Sequence, residues 1–355
     1  MATSRTTSTL AALLVAAGFI AAALSFDRIE RTSPLAAGSA VTSPDNRASH
    51  AVIENVRTWT IHYRSHSGAD RLAYVVLPDW YGPDNNPPLP VVISPHGRGA
   101  TGLSNAAFFD RLPAVGRFAV ISPDGMGQRL KNFSYGAPGQ IDDLAGMPAF
   151  AAAALPWLRI DSSRIYALGS SMGGQETLLL VARHPELLAG AAALDSVTDL
   201  ARRYRQLRQL PCAQSCVARW GKPYGAVLQS TLAREVGGSP QEAHEDYAAR
   251  SGLSQARKIA GSGVPLQIWW STEDKIVFDQ EHQSQALYEE LLRIDRCAPV
   301  TAYVGSWPHS REMRASELLP IALSGFGLMR AGSKDLPSSV RHEPATRCSD
   351  GGSTL

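Results

Sequence analysis

Residues 161–174 read DSSRIYALGSSMGG, and residues 175–184 continue QETLLLVARH. An apolar strand-like run, Arg164 to Leu168, leads into a helical run, Glu176 to Arg183, through Gly169-Ser170-Ser171-Met172-Gly173 and Gly174. A G-x-S-x-G sequence carries meaning only where a strand meets a helix, and here it does. The turn is so tight that side chains at Gly169 and Gly173 would strike neighbouring backbone. The residue between them is forced into a strained conformation at the positive end of the following helix. Ser171 is therefore the expected nucleophile, held above the carboxyl edge of a sheet.

The same alternation runs outward from this point. Strand patterns occur at Val56–Arg64, Arg71–Leu77, Leu89–Ser94, Phe118–Ser122, Leu188–Leu194, Val264–Trp270 and Val300–Val304. Helical patterns lie between them at Ile141–Leu158 and Gln280–Ile294, the first with Asp142 and Asp143 near its start. Strand, helix, strand at this spacing predicts an α/β fold with a mostly parallel central sheet flanked by helices. Ser196–Gly263 is too long for one crossover, so a helical insertion is expected there, before the strand that carries the acid. Within it Leu200, Tyr204 and Leu207 share one helical face, and Arg202, Arg203, Arg205 and Arg208 lie mostly around the other. Such arginines usually form a solvated face; binding of an acidic ligand is the alternative.

A serine hydroxyl needs a base to take its proton. Of the nine histidines, His309 in GSWPHS follows the last strand and comes after the serine in chain order. It is the expected base. His282 sits in a helical run and reads as a surface residue. The base needs a carboxylate to fix its tautomer. Asp274, in STEDKIV after the strand PLQIWW, is the first choice, with Glu273 beside it and Asp195 after an earlier strand as alternatives. The developing oxyanion needs backbone donors. Met172, after the nucleophile, should supply one, and Arg98, in the glycine loop PHGRG, the other. His96 reads as a structural residue of that loop. Tyr135, Trp270 and Trp307 are candidates to line a substrate pocket and equally candidates for the core.

The 355 residues include 44% hydrophobic and 19% charged side chains, enough apolar material for a large core. Lys plus Arg number 34 and Asp plus Glu 32, so the balance is +2 and no nucleic-acid partner is expected. Residues 1–26 hold one charge, Arg5, ahead of the apolar run LAALLVAAGFIAAALSF. They read as an export signal or a membrane anchor, which makes the protein secreted or held at the cell envelope. A Ser-, Thr- and Pro-rich linker is expected over 27–50, the catalytic domain over 51–330 with its helical insertion at 196–263, and a tail over 331–355. Four cysteines in an exported chain favour disulfides, and of the three pairings Cys212–Cys216 with Cys297–Cys348 is preferred. A metal site is not expected, and this chemistry requires no cofactor.

DSSRIYALGSSMGG is similar to the nucleophile region of the α/β-hydrolase superfamily. It resembles in particular the prolyl oligopeptidase catalytic domain and polyhydroxyalkanoate depolymerase-type esterases. YAAR and ARKI, then WWSTEDKIV and QSQALYEEL, resemble the C-terminal half of prolyl oligopeptidase-like hydrolases. The resemblance runs from about Val56 to Leu328. It implies an α/β-hydrolase fold, with Ser171 as nucleophile, Asp274 as acid, His309 as base, and Met172 and Arg98 as oxyanion donors. It also implies a small-molecule ester or peptide substrate and an acyl-enzyme route. Two departures stand out. No stretch here is expected to supply the large propeller of true oligopeptidases, and a His-Gly turn before the acid is replaced by Trp270-Ser271. Ester cleavage is therefore the first expectation, peptide cleavage the second, and a catalytically inert binding protein on the same fold the third.

Overall fold

The structure is a computed structural model that describes residues 49–53, 55–210, 224–330 and 335–343. The apolar N-terminal run, Cys212, Cys216 and Cys348 lie outside the described residues, and so do both expected disulfide pairings. Cys297 is itself disulfide-bonded. Among the described residues no helix is long and apolar enough to cross a membrane.

Ten strands form one sheet: β1 Ser49–Ile53, β2 Val56–Arg64, β3 Asp70–Pro78, β4 Leu89–Ile93, β5 Ala119–Pro123, β6 Ile160–Ser170, β7 Gly190–Leu194, β8 Leu266–Ser271, β9 Val300–Gly305 and β10 Arg341–Glu343. Their order is β1-β2-β3-β5-β4-β6-β7-β8-β9-β10. The run from β5 through β9 is parallel throughout. β1, β2 and β3 pair antiparallel at one edge and β10 at the other. The short central strands are buried on both faces, which explains their uninterrupted apolar runs. β2 alternates because it lies toward the edge.

Strand alternation divides the core into two layers. Val91, Ile93, Ile268 and Trp270 point to one side, where they meet Ile141, Leu144, Leu178 and Leu287 of the helices. Val92 and Trp269 point to the other, against Phe109, Phe118, Leu319 and Leu323. The main helices are α1 Pro138–Ala154, α2 Met172–Arg183, α3 Leu200–Gln206, α4 Tyr224–Val236 and α5 Ser284–Ile294. α1 starts three residues ahead of the expected Ile141, because Pro138 suits a first helical position better than the acids do. The expected helix Gln280–Ile294 is broken at Gln283. The Gln283 side chain is fully buried and accepts hydrogen bonds from the backbone N–H groups of Thr198 (2.7 Å) and Asp199 (2.8 Å). Chain between β7 and β8 builds a third apolar cluster, with Leu200, Leu207, Leu228, Leu232 and Tyr247 packed around Met172 and Val277. It covers the carboxyl end of the sheet, where Ser171 lies.

Candidate active site

Ser171 sits between β6 and α2 with φ 60° and ψ −122°, a conformation that L side chains rarely adopt. Close packing enforces it. A Cβ on Gly169 would lie 2.5 Å from the Gly173 carbonyl oxygen, and one on Gly173 would lie 2.2 Å from that of Pro95. The helix of β6–α2 thus presses directly on the Pro95–Arg98 loop. Gly97 is close behind the nucleophile, since a Cβ there would come within 3.9 Å of Ser171 Cβ. The strain is held by hydrogen bonds on both sides of the turn: Ser171 N–H donates to the Leu194 carbonyl at 2.9 Å, and Gln175 N–H to the Ser171 carbonyl at 3.0 Å.

Among the described residues, the Ser171 hydroxyl has no hydrogen-bond partner, and the Arg98 and Met172 backbone N–H groups are not taken up by another residue. His96 is buried with its ring nitrogens against the Gly97 and Asp124 carbonyls (2.7 and 2.5 Å), so it braces the loop.

His309 and Asp274 meet across the sheet edge. His309 Nδ1 lies 2.8 Å from Asp274 Oδ2, and both side chains are largely buried. Burial by itself would raise the Asp274 pKa. His309 and the amides of Ile276 (2.8 Å) and Val277 (3.0 Å) outweigh it and hold the carboxyl below its usual range. An ionised carboxylate only accepts, so His309 Nδ1 carries a proton, and Nε2 of the neutral ring is left as the basic nitrogen. The Ser171 and His309 segments touch through their chain neighbours, with Ser170 Oγ 3.3 Å from Ser310 Oγ. Ser171, Met172, Ile276 and Val277 line one pocket, which joins the nucleophile to the acid-bearing loop.

Glu273, the neighbouring candidate, is not the residue that meets His309. Asp195 is fully buried and engaged elsewhere: it accepts from Ser271 N–H (2.8 Å) and from the Trp307 indole N–H (2.9 Å). Trp307 is therefore a brace for Asp195. Trp270 belongs to the core, 6.2 Å from Tyr288 between ring centres. Neither tryptophan lines the pocket beside Ser171; Tyr135 and Arg98 do. The expectation of a solvated arginine face on α3 also fails in part. Arg203 is buried and faces this pocket, because α3 is covered on that side by the Arg98 and Tyr135 segments.

Glu312 escaped the sequence reading. It is fully buried and accepts from Ser170 Oγ at 2.5 Å. Burial, and with it the nearness of other carboxylates, raises the pKa of both Asp195 and Glu312. The only sequence signal was its position three residues after His309. Glu176 lies buried against Ser134 on the other side of α2, and burial pushes it up to about 8.

Residues 124–293 match the prolyl oligopeptidase family, described as Peptidase_S9. No curated protein sequence matches the chain significantly. Three solved structures share its architecture. The S-formylglutathione hydrolase of Agrobacterium tumefaciens superposes with a TM-score of 0.56 at 13% identity, covering 82% of this chain and 100% of its own. That of Staphylococcus aureus gives 0.53 at 17%, covering 76% and 98%. Pyrococcus horikoshii acylaminoacyl peptidase gives 0.55 at 14%, covering 80% of this chain and 44% of its own. At such identities the likeness establishes the fold. That fold is the α/β-hydrolase fold, and the family match, which runs from the end of β5 into α5, supports a serine hydrolase of the esterase or prolyl oligopeptidase-type peptidase kind.

Proposed function

We propose that the protein is an exported esterase that cleaves carboxylic esters through an acyl-enzyme with a Ser171–His309–Asp274 triad. The observation that carries this reading is the Ser171 backbone at φ 60°, strain of the kind kept where a nucleophile must be presented. Ser171 Oγ attacks the ester carbonyl while His309 Nε2 takes its proton. The tetrahedral oxyanion is met by the N–H groups of Met172 and Arg98. His309 returns the proton to the departing alkoxide, leaving the acyl group on Ser171. Water, activated by the same imidazole, attacks the acyl carbonyl and frees the acid and the serine. Asp274 holds the imidazole in the required tautomer and balances its charge when protonated. Export is supported by the apolar run before Asp27.

A fluorophosphonate probe should label Ser171, Ser171→Ala should abolish labelling, and a panel of acyl esters should be turned over faster than peptide amides. No labelling of the folded protein would favour an inert binding protein. Peptide amides cleaved well with little turnover of esters would favour the second reading, a peptidase, which the match over 124–293 supports. Cell fractionation with N-terminal sequencing of the mature chain tests export and separates a cleaved signal from an anchor.

A further inference from the structure

The pocket beside Ser171 is lined by two guanidinium side chains, Arg98 and Arg203, and by no carboxylate. Arg203 is only 6% exposed. Its side chain makes no hydrogen bond or ion pair with any described residue, and its buried Nη1 has no partner. The guanidinium lies over the Phe278 ring, 5.6 Å from its centre. Neighbouring arginines of the same segment are engaged: Arg202 pairs with Asp279 at 2.7 Å, and Arg208 Nε donates to Gln229 at 3.0 Å. The orphaned charge is therefore particular to the residue that faces the pocket. Arg98 donates to the Tyr224 hydroxyl at 3.5 Å and has no acidic partner among the described residues. The buried Tyr135 hydroxyl, on the same wall, also lacks a partner.

A guanidinium taken out of water without a counter-ion is costly, and a second one nearby adds repulsion. Burial and the Arg98 charge together lower the Arg203 pKa to about 10, so it stays cationic at neutral pH. Asp274 attracts it through space but is committed to His309 and two amides. The stretch 211–223, outside the described residues, contains no Asp or Glu.

We propose that the missing counter-ion is part of the substrate: the pocket receives a carboxylate on Arg203 and Arg98, with the Tyr135 hydroxyl as a further donor, so the preferred substrates are esters that also bear a free carboxylate. This rests on the esterase reading above and narrows it. Guanidinium groups suit the task because their paired N–H donors match the two oxygens of a carboxylate.

Two matched ester pairs test the inference by proton release at neutral pH. Monomethyl adipate against dimethyl adipate places the charge on the acyl side. 4-Acetoxybutyrate against its methyl ester places it on the alcohol side. At least one anionic member should exceed its neutral partner in kcat/KM by about 10- to 100-fold, the scale of a desolvated charge-assisted pair. Arg203→Gln and Arg98→Gln should each drive that ratio toward unity, and Arg203→Lys should keep part of it. Arg98 lies on a loop and is less deeply buried than Arg203, so its variant reports even where Arg203→Gln does not fold. Neutral esters turned over with no preference for either anionic member would overturn the inference and leave the esterase reading standing. Binding is separated from chemistry by calorimetric titration of adipate into Ser171→Ala. Binding weakened by adding Arg98→Gln supports the site even if no ester is hydrolysed, and no binding overturns it.

Discussion

The turn at 169–173 and helix α3 at Leu200–Gln206 both face the same pocket, yet they obey different rules. In the turn, shape decides: a Cβ on Gly169 would meet the Gly173 carbonyl oxygen at 2.5 Å, so the residue type is dictated by local backbone geometry. In α3, adjacent arginines meet opposite fates. Arg202 is one-third exposed and paired with Asp279, whereas Arg203 is buried and unpaired. Their sequence environment is the same; what differs is which neighbour covers them. Steric demands inside a tight turn are local, while the burial of a helix face depends on chain far away.

The contrast can be broken at several points. Asp274→Asn keeps the shape of the acid loop but removes the charge that sets the His309 tautomer, and kcat should fall by about ten-thousand-fold. A fall smaller than about tenfold would move the acid role toward Asp195. Gly173→Ala should destabilise the protein by about 1–3 kcal/mol through overpacking against the Pro95 loop, with loss of activity as that loop is displaced. Thermal melting and ester turnover measured together check it; a variant as stable and active as the parent would refute the steric account.

A smaller effect is expected from Glu176 behind the turn. Its pKa is 4.5 when unperturbed and about 8 in the fold. Between these values the folded protein keeps a proton that the unfolded chain has lost, so this residue's contribution to stability declines as pH rises. Urea midpoints taken from about pH 5 to about pH 8 should fall less steeply in Glu176→Gln than in the parent. An unchanged slope would show that Glu176 ionises normally. The least effect belongs to Arg202→Gln, under about 1 kcal/mol, because a partly exposed ion pair contributes little. Set beside Arg203→Gln, it measures how much of the α3 charge is surface solvation: Arg202→Gln should leave the ratio of anionic to neutral ester turnover unaltered.

Much of the scaffold was legible because the signals were local. The buried strands β4, β5 and β7 are short apolar runs, and their ends were placed within about two residues by pattern alone. β6 begins four residues earlier than its apolar run, since Ile160 pairs with Leu89 at the sheet margin and the polar Asp161–Ser163 follow it. His309 and Asp274 were legible as strand-end residues in the right chain order, and the fold places them 2.8 Å apart. Trp270 and Trp307 were ambiguous because a buried aromatic and a pocket aromatic have the same sequence signature. Strand direction sends the Trp270 ring into the core, and Asp195 claims the Trp307 indole.

From the residues alone came the α/β class, the strained serine turn and the order of the reactive groups, since periodicity and glycine placement act over a few residues at a time. Only tertiary structure decided that Glu312 and Asp195 lie buried beneath the site, that Gln283 leaves its helix to hold the loop after β7, and that Arg203 turns inward without a counter-ion. Each of these depends on contacts between segments far apart in the chain, 85 residues for Thr198 and Gln283 and 142 for Ser170 and Glu312, where packing and desolvation outweigh any preference that the neighbouring residues express.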